Sequence, residues 1–508
     1  MSETTISKNL DENEKFLKSK IGQSFDTNYR KFNILSCNNR SALIVYISGL
    51  VDTKSINDYI LTPLMTLPHF GAPNNLTNKA DVANWIINSG ISLSGARGGS
   101  EWSDICDSIM EGHSILFIGN SDIAIILSTN EWKSRTIQEP LNETEPRGPR
   151  DGFVEDIQTN TAIIRRRIKD YNLRFESIYI GERTKTRVSI VYIDSIVNKS
   201  VLEEVRNRLN NIKIDAILDT GFIQELISDS PNSIFPLYQR TERPDKACAV
   251  ILDGRIAILV DTTPFVLLLP SVFWQFIHSS GDYYEKPLIS TFIRVVRLLA
   301  LFFSLSLSSF YVLLMSFHQE MLPTSLALKL ASGREGLPLP VALEVFIMEI
   351  ALVIMKEAGV RMPTSIGQTV SFLGALVIGQ AAVVAGLIGP ATVIVVALTT
   401  ICSYAIPSLA MTNTITIIRL PLILLSSIFG LLGYLAGIIV VVLHLMSLRS
   451  FGAPYLAPVT PYDKNSNKDI IIRAPLWRMD KRSSISKSSD MTKEKSDKKP
   501  QPPKEEQR

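Results

Sequence analysis

Glu344 and Glu349 are the residues of this sequence whose surroundings most call for a chemical reason. They stand in PVALEVFIMEIALVIMKEAGVRMP, Pro340–Pro363, among Leu, Val, Ile and Phe. A carboxylate deep in a bilayer costs roughly 3 kcal/mol on insertion scales, so it needs a partner or a task. On a helix turning about 100° per residue, Glu349 and Lys356 share a face, and Glu344 lies about 140° around from Glu349. Three readings follow. The carboxylates line a cation pathway, with Lys356 at the same path or gate. Alternatively, they pair with Arg334, Lys356 or Arg361 and fix helix register. In the third, the segment lies at the membrane interface and neither glutamate is deep.

The elements that must position these groups form an apolar block from about Leu298 to Met446. Its first span is Leu298–Phe317, with Arg294 and Arg297 at the entrance, which keeps the preceding region cytoplasmic by the positive-inside rule. The glutamate segment follows as Leu339–Met355. Gly367–Leu387 and Ala391–Ile406 form a hairpin in which Gly374, Gly379 and Gly386 would let helices approach closely. Leu422–Met446 reads as the last span, with Gly433 and Gly437 in GxxxG spacing. Five spans put the C-terminal tail outside, although its Lys and Arg content looks cytoplasmic. Either the glutamate segment or the hairpin then fails to cross fully.

The expected fold class is an α/β N-terminal cytoplasmic region of two subdomains followed by an α-helical polytopic membrane domain. The polar N-tail covers 1–30, the subdomains 31–145 and 146–262, an interfacial segment 263–293, the transmembrane helical domain 294–450, and a basic, largely disordered C-tail 451–508. Apolar strand runs at Ser41–Asp52 and Thr186–Val197 are each followed by helical spacing and then by a hairpin signal. In the first subdomain Asn120-Ser121-Asp122 joins two strands. In the second, CAVIL and RIAILV flank Asp253-Gly254, the strongest two-residue hairpin signal of the chain. The recurrence points to two α/β subdomains, either related by duplication or simply two of the strand–helix units common to any α/β protein. Phe273, Trp274 and Phe276 suit the headgroup level.

Composition narrows the function classes. The net charge is +3 over 508 residues, and no nucleic-acid-binding motif is present. The four cysteines make no CxxC pair, and the five histidines show no ligand spacing. No catalytic constellation, metal site or cofactor is expected, and the chain is not expected to be an enzyme. Arg147 and Arg150, in the Pro- and Gly-punctuated linker Asn142–Asp156, could hold an anion or make an inter-domain contact. The basic run Arg165–Lys169 suits anionic lipid heads or a solvated helix face.

Several stretches together resemble the A subunits of the GerA-type spore germinant receptors. They are GLVD at Gly49–Asp52, EPRGPRDGFVED at Glu145–Asp156, LDGRIAILVDTTPFVLLLP at Leu252–Pro270, SGREGLPLP at Ser332–Pro340, MKEAGVRMP at Met355–Pro363 and GALVIGQAAVVAGL at Gly374–Leu387. Lys356 stands where the family pattern has arginine. The resemblance implies a multi-pass protein of the spore inner membrane whose N-terminal region faces the spore core. It implies a transporter-like B subunit that holds the nutrient and a lipoprotein C subunit as partners. It also implies self-association into a ligand-gated cation conduit in contact with lipid, and no nucleic acid. A non-conducting scaffold or relay subunit is the rival reading.

Overall fold

In the computed structural model, residues 5–493 are described except 23, 36–38, 67–78, 131–138, 141–142, 362–378, 464–465, 484, 486–487 and 489. The chain forms two compact units. One holds Met1–Pro231, Tyr238–Pro270 and Trp477–Arg508; the other holds Asn232–Leu237 and Ser271–Leu476.

The first unit contains two five-stranded antiparallel sheets with one topology. In the first, β1 (Thr27–Ile34), β2 (Arg40–Ile47), β3 (Ala96–Gly99), β4 (Ser114–Ile118) and β5 (Ala124–Leu127) are arranged β1-β2-β4-β5-β3. In the second, β6 (Leu173–Ile180), β7 (Thr186–Ile193), β8 (Gln239–Thr241), β9 (Ile256–Val260) and β10 (Val266–Leu269) are arranged β6-β7-β9-β10-β8. The helices repeat as well. α1 (Leu10–Ile21) and α2 (Trp102–Met110) cover the first sheet. α3 (Ile157–Arg167) and, further along, α6 (Pro244–Leu252) cover the second, with α4 (Lys199–Asn210) and α5 (Thr220–Leu226) between them in sequence.

The local chemistry matches atom for atom. In α1 the buried Asn13 accepts from Ser7 N at 3.0 Å and donates to Ser7 O at 2.7 Å. In α3 the buried Asn160 accepts from Val154 N at 2.8 Å and donates to Val154 O at 2.6 Å. Such a side chain satisfies both backbone groups of the approaching strand, which a buried turn otherwise leaves orphaned. After β2 and β7, Asp52 and Asn198 cap the following helices. α2 and α6 end on Gly112 and Gly254 in the left-handed region, φ 87° and 82°, where glycine carries no Cβ penalty. The apolar cores are built from corresponding faces. The two halves are therefore repeats of one unit.

The repeat corrects one expectation. CAVIL is not a strand: it lies in α6, with Pro244 at the helix start, and Asp253-Gly254 terminates that helix. A short apolar run cannot be assigned by periodicity alone. The true hairpin of the second repeat joins β9 to β10. Its second strand takes in Val266–Leu269, a stretch the sequence reading gave to the membrane interface; the strand is fully buried.

A buried ion pair joins the repeats. Arg165 of α3 donates from Nε and Nη2 to the two carboxylate oxygens of Asp26 at 2.7 and 3.0 Å, and both side chains are enclosed. Its guanidinium also stacks on Phe175. Nearby, Arg167 pairs with Asp151, and Lys169 with Glu111 at 3.4 Å. Arg165 and Lys169 of the basic run thus bridge the two repeats, while Arg167 holds the linker residue Asp151. Arg150 is exposed and pairs with Glu139 at 3.2 Å, while Arg147 is exposed. The linker is clamped to the second repeat through Glu143, which meets Lys246 at 2.7 Å, and through Arg243, which donates to Pro149 O.

The second unit is helical: α7 (Pro287–Ser316), α8 (Thr324–Ser332), α9 (Val341–Arg361), α10 (Pro390–Tyr404) and α11 (Leu409–Ser447). Among the described residues, α7 and α11 are long and apolar enough to cross a bilayer. α11 would be about 58 Å long if straight, but it is not straight. Gly430 has φ 57° and ψ −133°, outside the helical region. A Cβ on Gly437 would collide with Leu422, and one on Gly433 with the carbonyl of Leu425. In a straight helix residues 422 and 437 would lie about 22 Å apart. Both outer ends of α11 also reach one short segment: Thr414 Oγ1 donates to Ile234 O at 2.6 Å, and His444 Nε2 lies 3.0 Å from Ser233 Oγ. α11 is therefore an antiparallel hairpin. Its arms, about 31 and 25 Å long, turn at Gly430. The single span Leu422–Met446 does not exist.

The chain leaves this bundle where it entered. Beyond α11, Tyr455 is buried against Phe273 and Phe276 and donates to Pro236 O at 2.8 Å. Arg294, near the start of α7, bonds Asp282 and Asp469, while Arg297 binds the carboxylate of Asp282 with both terminal nitrogens at 2.8 Å. Burial alone would raise the Asp282 pKa, but Arg297 and Arg294 outweigh it and hold the carboxyl below its ordinary value. The described residues between Leu448 and Arg473 carry apolar anchors, in a region the sequence expectation left largely disordered from 451 onward. The anchors Leu448, Phe451, Tyr455 and Ile470 are buried.

Candidate functional site: the polar core of the helical bundle

Four helices meet around Glu349. Its carboxylate, 1% exposed, pairs with Arg419 of α11 at 2.9 Å and accepts from Ser308 of α7 at 2.8 Å. Ser308 is 3.1 Å from Thr399 of α10, and Arg419 donates to Ser304 O of α7 at 3.1 Å. One acid and one base therefore hold all four elements in register. α7 supplies the small hydroxyls: Ser304, Ser306, Ser308 and Ser309 are all buried. The hydroxyls of Ser306 and Ser309 have no hydrogen-bond partner among the described residues. In a low-dielectric interior such groups retain capacity for water or for a rearranged partner.

Glu344 forms a second centre. It is fully buried, 3.0 Å from Arg334, and accepts from Gly389 N at 3.0 Å and Thr392 Oγ1 at 2.9 Å. Tyr311 of α7 reaches Thr392 at 3.3 Å. Arg334 lies in the connection between α8 and α9, so this pair ties an exposed loop to the bundle interior. The backbone N–H of Gly389, at the start of α10, is one of the orphan donors of a helix N-terminus, where negative charge is favoured.

Among the described residues Lys356 meets no carboxylate. It donates to Asn413 of α11 at 3.0 Å, one step along the same antiparallel α9–α11 seam as Glu349–Arg419. The sequence named Arg334 as a possible partner, and the structure brings it to Glu344. It did not name Arg419, because that charge ends the apolar window and the last span was begun after it.

Gly433 and Gly437 sit inside the α11 hairpin. Gly379 packs toward Val393 of α10, and Gly386 turns at φ 64° with open space around it. Gly374 lies outside the described residues. Among the described residues no group of three His, Cys, Asp or Glu is placed to hold a metal.

The chain thus combines a duplicated α/β unit with a helical unit in which, among the described residues, two helices are long and apolar enough to cross a bilayer. A family model described as Bacillus/Clostridium GerA spore germination protein matches residues 15–485. The chain is 42% identical over 477 residues to Bacillus subtilis (strain 168) YfkQ, named as a membrane protein, covering 94% of this chain and 91% of that one. It is 40% identical over 497 residues to spore germination protein KA of the same organism, covering 98% and 90%. The crystal structure of the N-terminal domain of the A subunit of the Bacillus megaterium spore germinant receptor GerK3 shares 36% identity. It covers 53% of this chain and 98% of that one, with a TM-score of 0.42. The chain belongs to the GerA family of spore germination proteins.

Proposed function

We propose that this chain is the A subunit of a nutrient-responsive germination receptor, and that copies of it assemble to form or gate a cation-release conduit in the spore inner membrane. A transporter-like B subunit and a lipoprotein C subunit would be its partners. The α11 hairpin supports a topology in which the α/β unit and the tail share the cytoplasmic side, since the hairpin adds a crossing to the five read from the sequence.

The observation that carries the proposal is the Glu349–Arg419 pair. A carboxylate bound to arginine across four helices cannot attract a permeating cation. It can do so once the pair parts. The two glutamates then act as gate elements that become available on opening, with Arg334 and Arg419 as their resting partners and Lys356 further along the α9–α11 seam. The serine hydroxyls of α7 would receive water or the ion after separation.

The test is ion flux from liposomes or spores carrying Arg419→Gln, Glu349→Gln and the charge swap Glu349→Arg/Arg419→Glu. A closed-state lock gives leak without nutrient in Arg419→Gln and partial return of gating in the swap. Wild-type flux and gating in Glu349→Gln, with normal assembly, would remove the pair from the gate.

The same satisfied geometry also suits a non-conducting relay subunit, in which the pairs are only braces. A monomeric A subunit in a purified, active complex would select that reading, because one bundle with its polar core sealed encloses no pore.

A further inference from the structure

The repeats share a groove, and both grooves are filled. In the first repeat it lies between the turn after β2 and the end of α2. Leu50 N bonds Ile47 O there, and a Cβ on Gly112 would sit 2.8 Å from Leu50 O. In the second repeat Ile196 N bonds Ile193 O, and a Cβ on Gly254 would sit 3.1 Å from Ile196 O. The walls are the same backbone features carried by different side chains.

The occupants differ in kind. The first groove receives α3, whose Ala162 Cβ would lie 3.1 Å from a Cβ on Gly49. A cavity of about 210 Å³ remains beside it, lined by residues that include Asp52, Glu111, Asp156 and Lys169. That contact is locked by the buried Arg165–Asp26 pair. Among the described residues no third repeat supplies such a helix to the second. Its groove receives the C-terminal tail instead. Ser488 Oγ donates to Ile196 O at 2.7 Å, Arg482 Nε donates to Leu252 O at 3.0 Å, and Ser483 N approaches Asp253 Oδ1 at 3.4 Å. Lys493 stands 3.9 Å from Asp253. The tail closes on itself through Arg482, which donates to the carbonyls of Asp490 and Thr492, and through the bridge between Lys481 and Thr492.

We propose that the tail segment carrying Arg482 and Ser488 is a reversible latch on this second groove, a peptide-binding surface of the α/β unit that the chain covers with its own end. Terminal repeats of an array need a cap, and here Arg482, Ser483 and Ser488 of the polar tail supply it. Its grip consists of hydrogen bonds to carbonyls and partly exposed charge, with Met491 left exposed. Such contacts are individually weak, and attachment to the same chain supplies most of the occupancy through effective concentration. This inference does not depend on whether the membrane unit conducts.

The probe is a fluorescein-labelled peptide of residues 480–493, titrated by anisotropy into the full-length protein and into a chain shortened after Met479. The shortened chain should bind it saturably, and the full-length chain at least 10-fold more weakly. A peptide carrying Ser488→Asp should lose at least 10-fold on the shortened chain. Equal binding to both chains, or no binding to the shortened chain, overturns the proposal. A full-length Asp253→Cys/Ser483→Cys variant guards against misfolding of the shortened one. A short bismaleimide should crosslink it within the chain, and excess free peptide should slow that crosslinking. A folded variant that does not crosslink, or whose crosslinking ignores the peptide, refutes the latch.

Discussion

Glu349 and Arg419 show how a charged pair can be hidden in an apolar sequence. Removing one partner of a buried pair leaves the other uncompensated, typically at a cost of about 3–5 kcal/mol, whereas exchanging both charges keeps the balance. The purified Glu349→Gln protein should therefore unfold at lower temperature than wild type, with the swap nearer to it; scanning calorimetry in detergent would measure the order. His278 offers a separate test. Its Nε2 lies 2.8 Å from Ile470 O, and burial, aided by Arg294, pushes its pKa down to about 4. A histidine with a lowered folded pKa binds fewer protons folded than unfolded between about pH 6.5 and 4. Stability should fall as pH drops through that window, and His278→Gln should flatten the slope. The Asp282 carboxylate, whose pKa is held below its ordinary value, should contribute its own loss only at more acidic pH. A melting temperature unchanged from pH 7 to 5 would refute the histidine account.

The elements are unevenly legible in the sequence. The strand–helix–hairpin recurrence was visible because apolar runs and turn residues repeat in order. The assignment of CAVIL failed because a nine-residue helix and a buried strand present the same apolar run. The glutamate helix was legible through its two acids, but the partner of Glu349 was not, since pairing across α9 and α11 is a tertiary fact. The hairpin of α11 was hidden for a similar reason: Gly430 sits in a run as apolar as any single span, and only its φ and ψ reveal the turn. Gly437 packs on Leu422 across the two arms. Gly437→Leu should overpack this seam and destabilise by about 1–3 kcal/mol, seen as a lower melting temperature and faster proteolysis near 409–447. Cys106 and Cys248 occupy matching places in α2 and α6, and burial pushes their thiols up to about 11 and about 12. Neither should react with iodoacetamide at pH 8 in the folded protein, while both should after denaturation.

For the whole molecule, the α/β unit is two copies of one design held by a buried ion pair, each with its groove covered. Asp26→Asn leaves Arg165 enclosed without its counter-charge, so the repeats should loosen. Hydrogen exchange should rise at the ends of α1 and β6 more than in the strand centres. Unchanged protection there would show that apolar packing alone holds the repeats. The packed course of residues 448–473 was not legible beforehand, because its polar, Pro-interrupted composition gives no periodic signal. Its order comes from scattered anchors such as Tyr455 and from Arg294 meeting Asp469.

The turn at Gly430 also bears on how the protein is made. In the proposed membrane topology, two apolar arms joined by a single residue can enter the bilayer together, already packed on Leu422 and Leu425. No polar loop then has to be hauled through the hydrocarbon when the last third of the bundle is inserted.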